Sequence, residues 1–223
     1  MTQAQILQAI EESILFRDPD RVEEVIRGIE NGAVSSSTIL KALTGGMDRA
    51  RRELRQGQRS IPEFLLCIDS FRRGVHCLKT YVSQLPQKAD GIVIGVVEGD
   101  VHDMGKNIVA AVLEASGYQV YDLGRDVPRD TFLESVEKTK ASLVALSTMM
   151  STPLESMRDV IRWVRRLHPT TGILVGGAPL DERLARAMGA DGYAEGAADV
   201  PEEAERVLGL QRSSQGVSAV CGS

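Results

Sequence analysis

Apolar side chains change their period along the chain. Up to about residue 85 they recur at three- and four-residue steps, the spacing of amphipathic helices; beyond residue 91 they come as short continuous runs alternating with helical stretches. In the first part Ile6, Ile10 and Ile14, with Leu7 beside them, predict one helix. Asp18-Pro19 supplies an N-cap and a proline at the first helical position, followed by Val22, Val25, Ile26 and Ile29, with Gly32 placed to end that helix. Ser36 or Ser37 is placed to cap a third helix carrying Leu40, Leu43, Met47, Ala50 and Leu54, closed by Gly57. Pro62 opens a fourth with Phe64, Ile68, Phe71, Val75, Leu78 and Val82. Four amphipathic helices with short connections predict an antiparallel four-helix bundle over residues 1–85, and 86–91, bracketed by Pro86 and Gly91, reads as a linker.

The second part alternates strand and helix. Apolar runs at Ile92–Val97, Tyr118–Gly124, Ala141–Leu146, Ile173–Val175 and Ala190–Ala194 predict five strands. Helical patterns follow them from Ile108, Pro128, Pro153, Leu180 and Val200. Five βα units with right-handed crossovers predict a doubly wound parallel sheet, a flavodoxin-like (Rossmann-like) arrangement, over 92–210. The fold class is thus a helical bundle followed by a five-stranded α/β domain. The small, polar stretch 211–223 is expected to be disordered.

Composition narrows the classes. The 223 residues carry a net charge of −5, which argues against nucleic acid as the main partner. No run approaches a membrane span, and the start lacks the basic-then-apolar pattern of a signal peptide, so a cytoplasmic protein is expected. Cys67, Cys77 and Cys221 are an odd, unpatterned set that fits reduced thiols. Arg49, Arg51, Arg52 and Arg55 make one stretch unusually basic, either a solvated helix face or a docking patch for an acidic surface. His76 is expected to be structural or exposed.

Chemistry concentrates in Gly99-Asp100-Val101-His102-Asp103-Met104-Gly105-Lys106-Asn107, a strand-to-helix turn in which a histidine is flanked by carboxylates. Asp100 is placed to orient the imidazole through one ring nitrogen, leaving the other for a ligand. A plain loop is one alternative. A phosphate-binding loop is another, but five residues separate Gly99 from Gly105 and Asn107 stands where a hydroxyl is required. A zinc site is a third, although no second His or Cys lies at ligand spacing. Lys106 and Asn107 are expected to be exposed at the helix start.

The run Asp100-x-His102-Asp103-x-Gly105 resembles the cobalamin-binding signature of the methionine synthase cobalamin module and of the corrinoid proteins of methyltransferase systems. The resemblance implies a cobalamin or another corrinoid cycling between methyl-Co(III) and Co(I), with His102 as the axial cobalt ligand and Asp100 tuning it. It also implies a slot for the displaced nucleotide tail. Asp103 and Gly105 belong to the signature; Ser147 and Ser151 match hydroxyls along the tail; Gly176 and Gly177 match paired glycines beside it; Tyr193 and Ala194 match its lining. The family's further hydroxyl falls on Pro153 here, with Thr152 the nearest substitute. The first helices, through Gly46-Met47 and Pro62-Glu63-Phe64-Leu65-Leu66, resemble the family's cap, and 86–91 its hinge.

The function so implied is methyl carriage, as one subunit of a multicomponent system. The partners are a substrate-specific methyltransferase, a corrinoid-to-acceptor methyltransferase serving tetrahydrofolate or a thiol, and a reductive activase. Two alternatives share the histidine turn. A cobalamin-dependent regulator carries an added DNA-binding module, and none precedes these helices. The cobalamin-binding subunit of an adenosylcobalamin mutase pairs with a barrel instead of a helical cap.

Overall fold

The computed structural model describes residues 1–29, 33–82 and 88–220. Helix α1 (Gln3–Leu15) opens with a reciprocal cap: the Thr2 hydroxyl accepts from the Gln5 amide, and the Gln5 side chain accepts from the Thr2 amide at 2.8 Å. Asp18 caps α2 (Pro19–Arg27), which ends at Gly28; Gly32, the expected terminator, lies outside the described residues. The cap of α3 (Ser36–Arg55) is Ser35, not Ser36 or Ser37. In that run of three serines it is Ser35 whose backbone stays extended while its hydroxyl accepts from the Thr38 amide at 3.2 Å. Helix α4 (Ile61–Val82) takes Pro62 in its first turn, where the missing amide is not needed.

The apolar stripes of these helices are buried, with Ile10, Ile14, Ile39, Leu43, Phe71 and Leu78 fully so. Each such side chain contributes about 1.5–3 kcal/mol by leaving water. Arg59 reaches back to Glu53 with Nε at 3.1 Å and Nη2 at 2.6 Å, which clamps the α3–α4 turn. Arg49 shares Glu53, while Arg52 and Arg55 face solvent, as does His76. Cys67 and Cys77 are free and buried, and Cys221 lies outside the described residues.

A second compact unit starts at Lys88. Its strands are β1 (Gly91–Val96), β2 (Gln119–Asp122), β3 (Leu143–Ser147), β4 (Gly172–Gly176) and β5 (Gly192–Ala194). They pair in the order β2-β1-β3-β4-β5, all in parallel, the flavodoxin-like winding. Helices α5 (Met104–Ala115) and α9 (Val200–Val220) cover one face through Leu113, Ala204 and Val207 against Ile94, Ala145 and Leu174. Helices α6 (Arg129–Thr139), α7 (Leu154–Leu167) and α8 (Glu182–Met188) cover the other, through Phe132, Met157 and Ala185 against Val93, Val144 and Val175.

Two expectations change. Strand β3 runs on to Ser147, so the first hydroxyl of the following run belongs to the sheet. The stretch expected to be disordered from Gln211 continues α9 in backbone to Val220, because no proline interrupts its hydrogen-bond ladder; 221–223 lie outside the described residues.

The register places Val96, Ser147, Gly176 and Ala194 side by side across four strands. They fall on the α5–α9 face, two residues beyond Ile94, Ala145 and Leu174, because side chains on a strand alternate. The row shrinks in side-chain volume from the aliphatic Val96 to Gly176. The chain leaves β1 for a strand on one side and enters β3 on the other, so a crevice opens above the carboxyl ends of β1 and β3.

Candidate functional site

The loop after β1 enters that crevice. Its turn is closed by the Asp100 amide donating to the Val97 carbonyl at 3.2 Å, with Gly99 at φ +90°, a conformation that glycine adopts without strain. Asp100 is thereby carried inward, and none of its surface is exposed.

Both oxygens of the Asp100 carboxylate are used. Oδ1 accepts the His102 amide at 2.9 Å and lies 2.7 Å from His102 Nδ1. Oδ2 accepts the Thr148 hydroxyl at 2.8 Å and the Met149 amide at 2.6 Å. Burial by itself pushes a carboxyl up. Here the His102 and Met149 amides, the Thr148 hydroxyl and the His102 ring together outweigh it and hold Asp100 well below the usual carboxylate range. Asp100 is therefore an acceptor only, and Nδ1 must carry the hydrogen it receives. That fixes the neutral tautomer with its lone pair on Nε2. The His102 side chain is 54% exposed, and its second ring nitrogen has no part in the bond to Asp100.

Thr148 is the residue the sequence reading missed. It follows Ser147 directly, is fully buried, and also accepts the Met150 amide at 3.3 Å. Gly177 makes room for it: at φ +128°, a Cβ there would sit 1.8 Å from the Thr148 carbonyl oxygen. The hydroxyl that supports Asp100 thus comes from Thr148 and not from Thr152, which is exposed. Pro153 is buried and packs against the turn, 3.7 Å from where a Gly99 Cβ would stand.

The remaining candidates divide. Ser147 and Gly176 lie in the narrow row on the α5–α9 face, and Ser151 is exposed in the same loop as Thr148. Ala194 shares that face, but Tyr193 points to the other, where its hydroxyl donates to the Leu180 carbonyl at 3.0 Å. Asp103 accepts the Asn107 amide through its backbone carbonyl at 2.8 Å, at the start of α5. Gly105 has no heavy atom within 4 Å of a Cβ position. Lys106 is not exposed: its side chain is 2% accessible, and its ammonium contacts both carboxylate oxygens of Asp122 at the end of β2. A lysine turned inward in this way does not serve a phosphate loop. Large apolar side chains stand exposed along both loops, Val101 and Met104 on the first, Met149 and Met150 on the second.

Comparison with known proteins gives the family and the fold. Residues 91–201 match the family model described as B12 binding domain. The chain is 33% identical to dimethylamine corrinoid protein 2 of Methanosarcina acetivorans, over 92% of this chain and 96% of that one. Its fold matches the monomethylamine corrinoid protein of Methanosarcina barkeri with a TM-score of 0.68 at 25% identity, covering 92% and 99% of the two chains. It also matches the methanol:cobalamin methyltransferase complex MtaBC of the same organism, with a TM-score of 0.58 at 30% identity, covering 93% and 81%.

Proposed function

The chain belongs to the family of corrinoid proteins built on a B12-binding domain, and we propose that it carries a methyl group between partner methyltransferases. One partner is specific for a methylated substrate. The other serves an acceptor such as tetrahydrofolate or a thiol. A reductive activase is proposed as a third partner, and the cytoplasm as the compartment; among the described residues no helix is long and apolar enough to cross a membrane.

The observation that carries this reading is the half-exposed His102 ring, held through Nδ1 by the buried Asp100 carboxylate at the end of β1. When bound, the corrinoid supplies the cobalt that takes up and releases the methyl group. The chain's own residues do the rest. His102 would hold the metal through the ring nitrogen that Asp100 leaves free. Asp100 keeps Nδ1 protonated, so it holds the ring in one orientation and raises the basicity of Nε2. Thr148 and the Met149 amide stabilise Asp100 as an anion in a buried place. Val101, Met104, Met149 and Met150, exposed on the two loops, would give a bound corrinoid apolar surface and help to exclude water from the nitrogen.

The residues also fit a long tail beside the sheet. Ser147 and Gly176 leave the α5–α9 face narrow at its carboxyl edge, with Ala194 continuing the row and Gly105 open at the start of α5. Ser147 and Ser151 supply hydroxyls to a tail base. Gly177 acts by seating Thr148, and Asp103 stands next to His102 at the helix start. Tyr193, on the opposite face, braces β5 against Leu180 and stays outside the slot.

Reconstitution with hydroxocobalamin, followed by absorption and by electron spin resonance of the reduced cobalt, tests this reading. Stoichiometric uptake with nitrogen coordination in the wild type, and its loss in His102→Ala, supports it. Absence of uptake under conditions that load a related corrinoid protein rejects it.

A further inference from the structure

The Asp100 turn is held from a second side by a residue whose hydrogen bonds go to the turn itself, to Gly99 and Asp100. Asp126, in the loop between β2 and α6, accepts the Gly99 amide on Oδ1 at 2.8 Å and donates its own amide to the Asp100 carbonyl at 2.9 Å. The two bonds bracket the peptide between Gly99 and Asp100, the unit that aims the Asp100 side chain into the interior. Asp126 does this from φ +52°, a left-handed conformation in which aspartate is among the few side chains tolerated. Its own position is fixed by the sheet. Val96 donates to the Gly124 carbonyl at 3.0 Å, Val127 donates to the Val96 carbonyl at 3.0 Å, and Val97 and Val127 form a parallel bridge. The loop from Gly124 to Val127 is therefore a short extension of the β1 edge, and Asp126 projects from it as a strut.

We propose that Asp126 is a positioning residue for the axial histidine. By fixing the Gly99–Asp100 peptide it sets the Asp100 carboxylate at the one distance where the carboxylate holds both the His102 ring and the Thr148–Met149 loop. This rests on the reading of His102 as a corrinoid ligand. The strut approaches from the β2 side, whereas Thr148 approaches from β3, so Asp100 is seated by loops from both strands flanking β1. Removal of the strut leaves every group that touches the ligand in place and loosens only the angle at which they are presented.

Two substitutions separate the parts of this role. Asp126→Gly keeps the left-handed backbone and the amide bond to Asp100 but deletes the acceptor for Gly99. Asp126→Asn keeps a carbonyl acceptor and tolerates the same backbone conformation. Amide hydrogen exchange on the cofactor-free protein, followed residue by residue by NMR, reads the strut without any ligand. In Asp126→Gly, exchange is expected to quicken about fivefold at Gly99, as for loss of one exposed hydrogen bond, and also at His102 and Met149, whose amides bond the Asp100 carboxylate. Asp126→Asn is expected to stay close to wild type at all three. After loading with hydroxocobalamin and reduction, the histidine-bound fraction read by spin resonance falls in Asp126→Gly and recovers in Asp126→Asn.

Quickened exchange at Gly99 alone, with His102 and Met149 unchanged, overturns the proposal, as does a histidine-bound fraction equal to wild type. A wild-type protein that takes up no hydroxocobalamin rejects the corrinoid reading, while the exchange data still report whether Asp126 seats Asp100.

Discussion

Thr148 completes the coordination of Asp100 on the side that His102 leaves open. The threonine hydroxyl lies 2.8 Å from Oδ2, and His102 Nδ1 lies 2.7 Å from Oδ1. Thr148 and Asp100 lie 48 residues apart, on the loops after β3 and after β1. A carboxylate shared in this way is a mechanical link: displacement of the β3 loop alters the seating of the His102 ring.

Thr148→Val is the cleanest probe of that link, since it keeps shape and removes the hydroxyl. A buried charge that loses one donor costs about 1–3 kcal/mol, read as a shift in the urea midpoint of the cofactor-free protein. Thr148→Ser is expected to restore most of it.

Asp100 also gives a pH signature. Its folded pKa lies below the unfolded value, so the stability it contributes is complete above about pH 4 and is lost as the pH falls through its folded value. Denaturation of wild type and Asp100→Asn from pH 6 downward is expected to show a large difference that narrows on acidification. A constant difference contradicts the assignment.

The glycines beside the loops behave oppositely. Gly177→Ala places a Cβ 1.8 Å from the Thr148 carbonyl at a left-handed φ, and a loss on the order of 3 kcal/mol or failure to fold is expected. Gly105→Ala meets nothing and lies in the first turn of α5, so the cofactor-free protein gains about 0.5–1 kcal/mol in thermal unfolding. The same methyl fills space proposed for the ligand, and cobalamin titration of Gly105→Ala is expected to show weaker binding than wild type.

Lys106 and Asp122 form an asymmetric pair, 2% and 39% accessible. Asp122→Ala strands a buried ammonium and is expected to cost about 3–5 kcal/mol. Lys106→Met leaves a carboxylate that water reaches, and is expected to cost less. Chemical denaturation of the two variants ranks them directly.

Most of the fold was legible because the two apolar periods differ so sharply, and the apolar runs at Ile92, Leu143 and Ile173 have no helical alternative of comparable length. His102 and Asp100 were legible because they sit two residues apart. Thr148 was not, since the run Ser147-Thr148-Met149-Met150-Ser151-Thr152 offers four hydroxyls. Only the end of β3 at Ser147 decides which of them turns toward Asp100. Lys106 looked like an ordinary helix-start cation because its counterion lies 16 residues away, on a strand that becomes a neighbour only when the sheet forms. The facing of Tyr193 and Ala194 was readable from strand alternation once their strand was fixed.

The one ring nitrogen of His102 that Asp100 leaves free has a consequence for the proposed ligand. Among the described residues no group of three His, Cys, Asp or Glu side chains is placed to hold a metal ion. Asp100, the nearest carboxylate partner, has both oxygens occupied by donors. A hydrated cation arriving here finds one donor and must give up bound water to gain it. On the proposed reading of His102, a metal already held by a chelator would need only that one donor, so the site would favour metals that bring their own cage over free hydrated ions.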